Sequence, residues 1–522
     1  MTLTGRDPFD PTPGVYREYL FAIGPSAGQA PERGVLLVGN RTSAGSEPLD
    51  VVDQDNPIRD DADARARFGD RSELYAMYRQ QVSQPQDQTI WACAATESAG
   101  ANAAVKLVVS GVSDKATTWQ LHCHSEYPTY SAEDGDNQQT TAEGLADALN
   151  GWDEGRLQVT AVAAIDGAGP DWKVDVIAAQ KGPRGDQIIG ADATHGIRIK
   201  VLSGTGNTQS LAKSTITAGG GDDDWSAAIA NIATGNWFYH VLAKTASTTL
   251  TATDNGLGEY LAMLKAQLLP VNAKDQQAHF GLVCTQPQGA SVTQSAQCNT
   301  VQARAIRQQG SDLTTAMLAA HFCSLLRQRE IAYPAANCNE IVTSGIPIPF
   351  NVSDRHNAAE VKADLNAGIS SMRVIGNNTP QLTRTVLTRS LSDSLLPDYR
   401  AREGHIFSVV TLFWAVAAQR WDSTKQPNAA DDPIGNQPPP ARTSIPRHIR
   451  SMLKLLIEDM AGNNPLGVYD GPLLRPDRVQ EMIDSIQVNH NGRGGFPTKC
   501  TVQAVLHRIS WEAEIGEGGP SY

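Results

Sequence analysis

Two histidines alternate in the segment Leu121–Glu126 (LHCHSE), with a carboxylate close behind. Imidazoles and a carboxylate at such spacing are a donor set for a divalent metal. If the segment is a strand, His122 and His124 lie on one face. The same residues equally suit a surface strand carrying two histidines. No second ligand cluster stands elsewhere at recognisable spacing, and there is no HExxH. The stretch GVLLVGNRTSAGSEPLD (34–50) runs an apolar strand into a Gly/Ser loop, where a βα enzyme often holds a phosphate. It has neither the GxGxxG nor the GxxxxGK[ST] spacing. Arg41 follows the strand, and no Lys-Ser or Lys-Thr pair opens a helix. There is no GxSxG nucleophile elbow. His405 and Ser408 fall in a segment dedicated to packing. Asp222, Asp223 and Asp224 suit a flexible, acidic hinge leading into a helix N-terminus, where the macrodipole accommodates them without calcium. The residues therefore point away from catalysis, with no cofactor and no metal expected. A metal-dependent hydrolase on the His122–His124 strand stands as the alternative of another class.

A different charge pattern occurs near the C-terminus. In residues 444–462, Ile445, Ile449, Met452, Leu453, Leu456 and Met460 form one apolar helical stripe. Arg447, Arg450 and Lys454 share another face, at spacings of three and four. A basic face in an acidic chain suits a negatively charged partner, and it equally suits a solvated face. The chain of 522 residues carries a net charge of -13, with 43 Lys and Arg against 56 Asp and Glu. Such a balance gives no overall field to attract nucleic acid or an anionic membrane. No apolar run nears the roughly 20 residues of a membrane span, and the first residues lack the apolar core of a signal peptide. A soluble chain made in the cytoplasm is expected. The 7 cysteines include no CxxC pair and read as reduced, mostly buried thiols. The odd count leaves oxidation within or between subunits open.

The elements that would position these residues read as a multidomain α/β (α+β) chain. GVLLVG (34–39) is a strand buried on both faces. A helix follows over 71–82 with Ser72 as N-cap, then a strand over 88–95. From 101 to 224 the texture changes to short alternating strands between Gly, Asp, Asn and Ser clusters, broken by one helix at 141–151. The α/β alternation then resumes, with strands at 236–243 and 279–284 and helices at 225–233, 258–269, 311–330 (amphipathic), 353–368, 402–421 (buried) and 444–462. Residues 498–515 alternate as a strand or two. The chain thus divides into an N-terminal arm (1–19), a discontinuous inner α/β domain (20–100 and 225–497), a β-rich insertion (101–224) and a C-terminal strand and arm (498–522).

The order of these pieces resembles the tail sheath proteins of contractile-tailed, myovirus-type bacteriophages. PGVYREY (13–19) is similar to the family's opening strand. GVLLVGN followed by ARFGDRSELYAMY (66–78) resembles its strand and helix start, and TIWACAA (89–95) its next strand. SDRHNAAEVKADLNAGISSMRV (353–374) is similar to a helix ending in an Asn-x-Gly-Ile-Ser turn, and NTPQLTRTVLTRSL (378–391) to the strand that follows. The resemblance implies a structural subunit, not an enzyme, that stacks as hexameric rings around a tail tube and contracts to drive the tube through the host envelope. It implies residence in the virion tail, with further copies of itself, the tail tube protein, and baseplate and tail terminator proteins as partners. No direct contact with nucleic acid or membrane is implied. A phage-derived injection device of bacteriocin or secretion type is the related alternative. The resemblance also implies that terminal arms add strands to a neighbour's sheet. The candidates are Pro13, Gly14, Val15 and Tyr16 at one end and Thr501, Val502, Ala504 and Leu506 at the other. Cys500, beside that strand, is a candidate for an inter-subunit disulfide. The Arg447, Arg450 and Lys454 face is the candidate tube contact.

Overall fold

The computed structural model describes most of residues 34–232 and 303–388, and short stretches at 239–243, 249–250, 280–284 and 293–294. It also describes isolated positions between 409 and 430, most of 443–488, and 498–502. The expected arm at 1–19, the helix at 258–269, most of 402–421 and the chain beyond 502 lie outside the described residues.

A strand with no polar side has to lie inside a sheet covered on both faces. Val35–Gly39 is buried at every position. It runs parallel to Ile90–Ala94 on one side and Tyr239–Leu242 on the other. The sheet continues in parallel through Phe280–Cys284, Ala303–Arg307 and Ile369–Ile375. Two antiparallel strands, Thr379–Arg384 and Asn339–Val342, complete its eight.

Parallel neighbours need crossovers, and helices supply them. Glu73–Gln81 starts where the Ser72 hydroxyl accepts from the Tyr75 N–H at 3.0 Å. The N–H of Asn40, just past the first strand, donates to Glu73 Oε2 at 3.1 Å and fixes strand end to helix start. The shorter helix Asp61–Phe68 ends at Gly69, whose φ of 78° and closeness to the Thr42 hydroxyl leave no room for a Cβ. The long helix Thr315–Ala332 departs from its amphipathic reading: every residue from Thr315 to Arg327 is buried. The cause is its position, between the sheet on one side and Glu73–Gln81 on another. Its His321 meets the Ser83 hydroxyl and Gln80 Oε1, each at 3.2 Å from Nδ1.

Residues 102–217 form a four-stranded sheet (Val159–Ile165, Trp172–Lys181, Asn102–Ser110, Ser210–Thr217) and a three-stranded one (Thr129–Ala132, Thr117–His122, Arg198–Ser203). Here the period is two: Ala103, Val105, Leu107 and Val109 point inward and their neighbours are half-buried. These side chains join Leu145, Leu149, Val174 and Val176 in a hydrophobic cluster of their own, separate from that of the parallel sheet. Helix Gln138–Asn150 begins earlier than its sequence suggests, because the Asn137 side chain accepts from the Thr140 N–H at 2.9 Å. At its other end Asn150 brackets Ala161, donating to its carbonyl at 2.7 Å and accepting from its N–H at 3.0 Å. The chain leaves and rejoins the parallel sheet at one point. The Ala101 carbonyl accepts from both Gly182 N (3.1 Å) and Gly220 N (3.0 Å). Backbones touch here directly, and a Cβ on Gly182 would run into the Gly221 carbonyl.

A third cluster lies toward the C-terminus. It joins Val409 and Phe413 to Leu453, Leu456, Met460, Leu473, Leu474, Met482, Cys500 and Val502.

Candidate functional site

Helix Pro446–Met460 has Pro446 in its first turn, where a missing N–H costs nothing. Its inward stripe is Ile449, Leu453, Leu456, Ile457 and Met460, with Met452 half-buried. Arg447, Arg450 and Lys454 are exposed. They are not equivalent. Arg450 Nη2 donates to the Val488 carbonyl at 3.1 Å and so ties the helix to a C-terminal strand pair. Lys454 lies 3.9 Å from Glu458, one turn on, an exposed pair worth a few tenths of a kcal/mol.

That strand pair is Gln487–Val488 with Thr498–Lys499, antiparallel. The Thr501 N–H donates to the Ser485 hydroxyl at 2.8 Å, and Val502 is buried in the C-terminal cluster. Cys500 is a free, buried thiol, its Sγ 3.8 Å from the Met482 carbonyl; burial pushes its pKa up to about 11. A disulfide to another subunit would require this packing to open. Pro13, Gly14, Val15, Tyr16, Ala504 and Leu506 lie outside the described residues.

The His122–His124 pair does not form. The strand ends at His122, and Cys123 and Glu126 exchange N–H···O=C bonds of 3.0 Å across a tight turn. That turn puts His124 at φ 56° and sends it away from its expected face. His122 bonds Gln120 Oε1 at 3.0 Å and packs edge-on against Tyr127. His124 Nδ1 faces the Asp312 carbonyl at 3.1 Å. Among the described residues no set of three His, Cys, Asp or Glu side chains converges as metal ligands.

The acidic run is likewise not a plain hinge. Asp224 accepts from the Ser226 N–H at 3.0 Å and opens the next helix. Asp223 is buried, paired with Arg184 Nη2. Arg184 Nη1 also donates to Glu73 Oε2 at 2.6 Å, and its guanidinium lies 5.8 Å from the Trp225 ring. Burial pushes the Glu73 carboxyl above its usual range, against the pull of Arg184. Further ties line the same seam. Arg198 pairs with Asp312 at 2.5 Å. The Thr315 N–H (3.1 Å) and hydroxyl (2.9 Å) donate to Gln187 Oε1. Arg71 Nη2 donates to the Asn150 carbonyl at 2.7 Å.

A second buried polar network escaped the sequence reading. Arg307 Nη1 donates to Asp364 Oδ1 at 2.8 Å. Ser371 Oγ donates to Asp364 Oδ2 at 3.2 Å and lies 3.0 Å from His356 Nδ1. Serine, histidine and aspartate are in contact, but all three are buried and the carboxylate holds the serine itself. A nucleophile must face a substrate, so this arrangement does structural work. It ties helix Ala358–Asn366 to strands Ala303–Arg307 and Ile369–Ile375. Burial holds the His356 imidazole below its usual pKa, although Asp364 opposes the shift. The signal for it was within reach: His356, Asp364 and Ser371 all lie in the 353–374 segment that carries the resemblance.

No family model matches the chain, and no curated protein matches it. Solved structures do. The chain is similar to the sheath tail protein of Desulfitobacterium hafniense, at 13% identity over 94% of this chain and 100% of that one, with a TM-score of 0.44. It is similar to the sheath tail protein of Listeria innocua, at 11% identity over 92% and 93%, TM-score 0.43. It is also similar to a chain of the anti-feeding prophage helical sheath in the contracted state, at 11% identity over 95% and 96%, TM-score 0.42. Contractile sheaths are what this chain is similar to.

Proposed function

We propose that this chain is the structural subunit of a contractile phage tail sheath. It polymerises as stacked hexameric rings around a tail tube and contracts to drive the tube through the host envelope. The observation that supports this most is where the resembling segments fall. GVLLVGN, ARFGDRSELYAMY and TIWACAA fall within residues 34–95 and the fourth segment lies far along the chain at 353–374, yet all belong to one sheet and the helices and loops directly on it. In this reading the inner domain (20–100 and 225–497) faces the tube and the insertion (101–224) faces outward. Baseplate and terminator proteins close the two ends of the lattice.

Connectivity during contraction comes from arms. Main-chain hydrogen bonds along an added strand hold two chains together while their domains turn. Pro13–Tyr16 and the chain through Ala504 and Leu506 are the donated parts, with Thr501 and Val502 the root that anchors the latter to its own subunit. Energy stored in a metastable assembly drives the motion, so no nucleotide site is required. The tube contact is the helix face carrying Arg447 and Lys454, with Arg450 bracing it. Neutralising all three weakens co-assembly with purified tube most at low salt, where screening is least.

Negative-stain microscopy of the overexpressed chain tests the reading. Tubes as wide as a phage tail are expected, and deletion of the first twenty and the last two dozen residues abolishes them. Normal, shortening cylinders from the doubly truncated chain would overturn it, and dispersed monomers holding zinc would favour the hydrolase.

A further inference from the structure

The seam between the insertion and the parallel sheet is built around a shared cation. Arg184, on the insertion's helix Pro183–Ile189, donates from Nη1 to Glu73 Oε2 at 2.6 Å and from Nη2 to Asp223. All three side chains are buried, and the Trp225 ring lies 5.8 Å from the guanidinium. Glu73 therefore has only a share of one positive charge in a place that excludes water. Burying an ionised carboxyl on those terms is costly.

The bonds to Glu73 are one-sided. Its two donors, Arg184 Nη1 and the Asn40 N–H at 3.1 Å, both fall on Oε2. Among the described residues no hydrogen bond reaches Oε1. A carboxylate accepts at both oxygens, whereas a carboxylic acid accepts at its carbonyl oxygen and keeps its proton on the other. The surrounding groups offer no second cation to Glu73. Arg71 is turned to the Asn150 carbonyl at 2.7 Å, and Arg79 lies more than a turn further along the helix. On the insertion, Lys181 pairs with Glu97 at 3.9 Å and Asp186 accepts from the Gly219 N–H at 2.7 Å. The sheet contributes only the Asn40 amide and the bare backbone of Gly39, where a Cβ would stand 3.3 Å from Oε2. A place in the first turn of a helix favours the ionised form, but weakly beside the cost of burial. Burial drives the Glu73 carboxyl up more strongly than Arg184 holds it down, and the charge of Asp223 adds to the rise.

We propose that Glu73 is a proton latch: in the closed seam it is the neutral acid with its proton on Oε1, and giving that proton up to solvent loosens the insertion from the parallel sheet. An open seam returns Glu73 to water as an ordinary carboxylate, so opening releases one proton and is favoured as pH rises. The latch holds fully below the ordinary value of 4.5 and relaxes as pH climbs through the higher value of the closed seam. It works whether or not the chain forms a sheath.

Infrared difference spectra of the full chain at about pH 6.5, where an ordinary glutamate is ionised, test the protonation state. Wild type minus Glu73→Gln is expected to show the carbonyl stretch of a buried carboxylic acid. A carboxylate stretch in its place would overturn the proposal. Hydrogen exchange of the Thr315 amide, which donates across the seam to Gln187 at 3.1 Å, reads the opening. From about pH 5 until the closed seam has lost its proton, the opening constant of the wild type is expected to rise about tenfold per pH unit relative to Glu73→Gln. His124 titrates alike in both chains and cancels. Opening constants that keep a fixed ratio across that range would overturn the proposal. Should Glu73→Gln fail to fold, carbon-13 labelling of the glutamates in the wild-type chain still decides: the acid stretch shifts with the label, and its absence at pH 6.5 sinks the latch.

Discussion

Val35–Gly39 is buried at all of its positions, whereas Asn102–Ser110 buries every second one. The first strand belongs to a sheet that has to be covered by helices, and those are drawn both from nearby, Glu73–Gln81, and from far along the chain, Thr315–Ala332. The second belongs to a unit whose cluster is drawn from its own residues and whose two ends meet at Ala101 and Gly220. Yet the two are not loosely strung together. Their seam contains a buried guanidinium between two carboxylates, and Arg198, Gln187 and Arg71 add further bonds across it. A self-sufficient insertion joined by so many polar contacts teaches that independence of folding and rigidity of attachment are separate properties.

The comparison is most exposed to attack at Arg184. Arg184→Met leaves Glu73 and Asp223 buried without their cation, which costs about 3–5 kcal/mol. The loss is expected to split thermal unfolding into two transitions, and a single unsplit transition would mean that the remaining seam contacts, Arg198–Asp312, Thr315–Gln187 and Arg71–Asn150 among them, suffice to couple the units. Core truncations come next. Leu36→Ala and Leu107→Ala each cost about 2–5 kcal/mol. With the seam intact both lower the same melting transition; in the Arg184→Met background each moves only its own.

Acid sharpens the picture. The folded His124 has a pKa of about 4 against an ordinary 6.5, so the unfolded chain takes this proton more readily. Its contribution to stability is complete above pH 6.5 and is lost as pH falls through 4, by about 3 kcal/mol at most. Denaturant midpoints measured across that window are expected to fall less steeply with acid in His124→Phe. The smallest effect belongs to the capping box, in which Asn357 and Glu360 satisfy each other's backbone N–H groups. Asn357→Ala costs about 1 kcal/mol and acts on the parallel-sheet unit.

Much of the local structure was legible because its signals are local. The apolar run at 34–39, Ser72 as N-cap and the alternating strands within 101–224 each carry their own evidence. What escaped depends on tertiary position. Ser210–Thr217 is a half-exposed edge strand rich in Ser, Thr and Lys, with little alternation to betray it. The helix Thr315–Ala332 is buried from 315 to 327 by neighbours its own pattern does not announce. Asp223 reads as solvated hinge until Arg184, 39 residues earlier, is brought to it. His124 reads as a strand residue until a turn of four reverses the chain. For the candidate site, the basic helix face was readable from spacing, but not the use of Arg450 as a brace, which needs Val488.

The neck at Ala101 and Gly220 has a further consequence. Because both crossings are pinned to one carbonyl, the span between them can lengthen, shrink or be replaced without stretching the parallel sheet beneath. Evolution, or an engineer, can treat that junction as a socket and graft a different outer module there, provided the newcomer brings its own counterpart to Arg184.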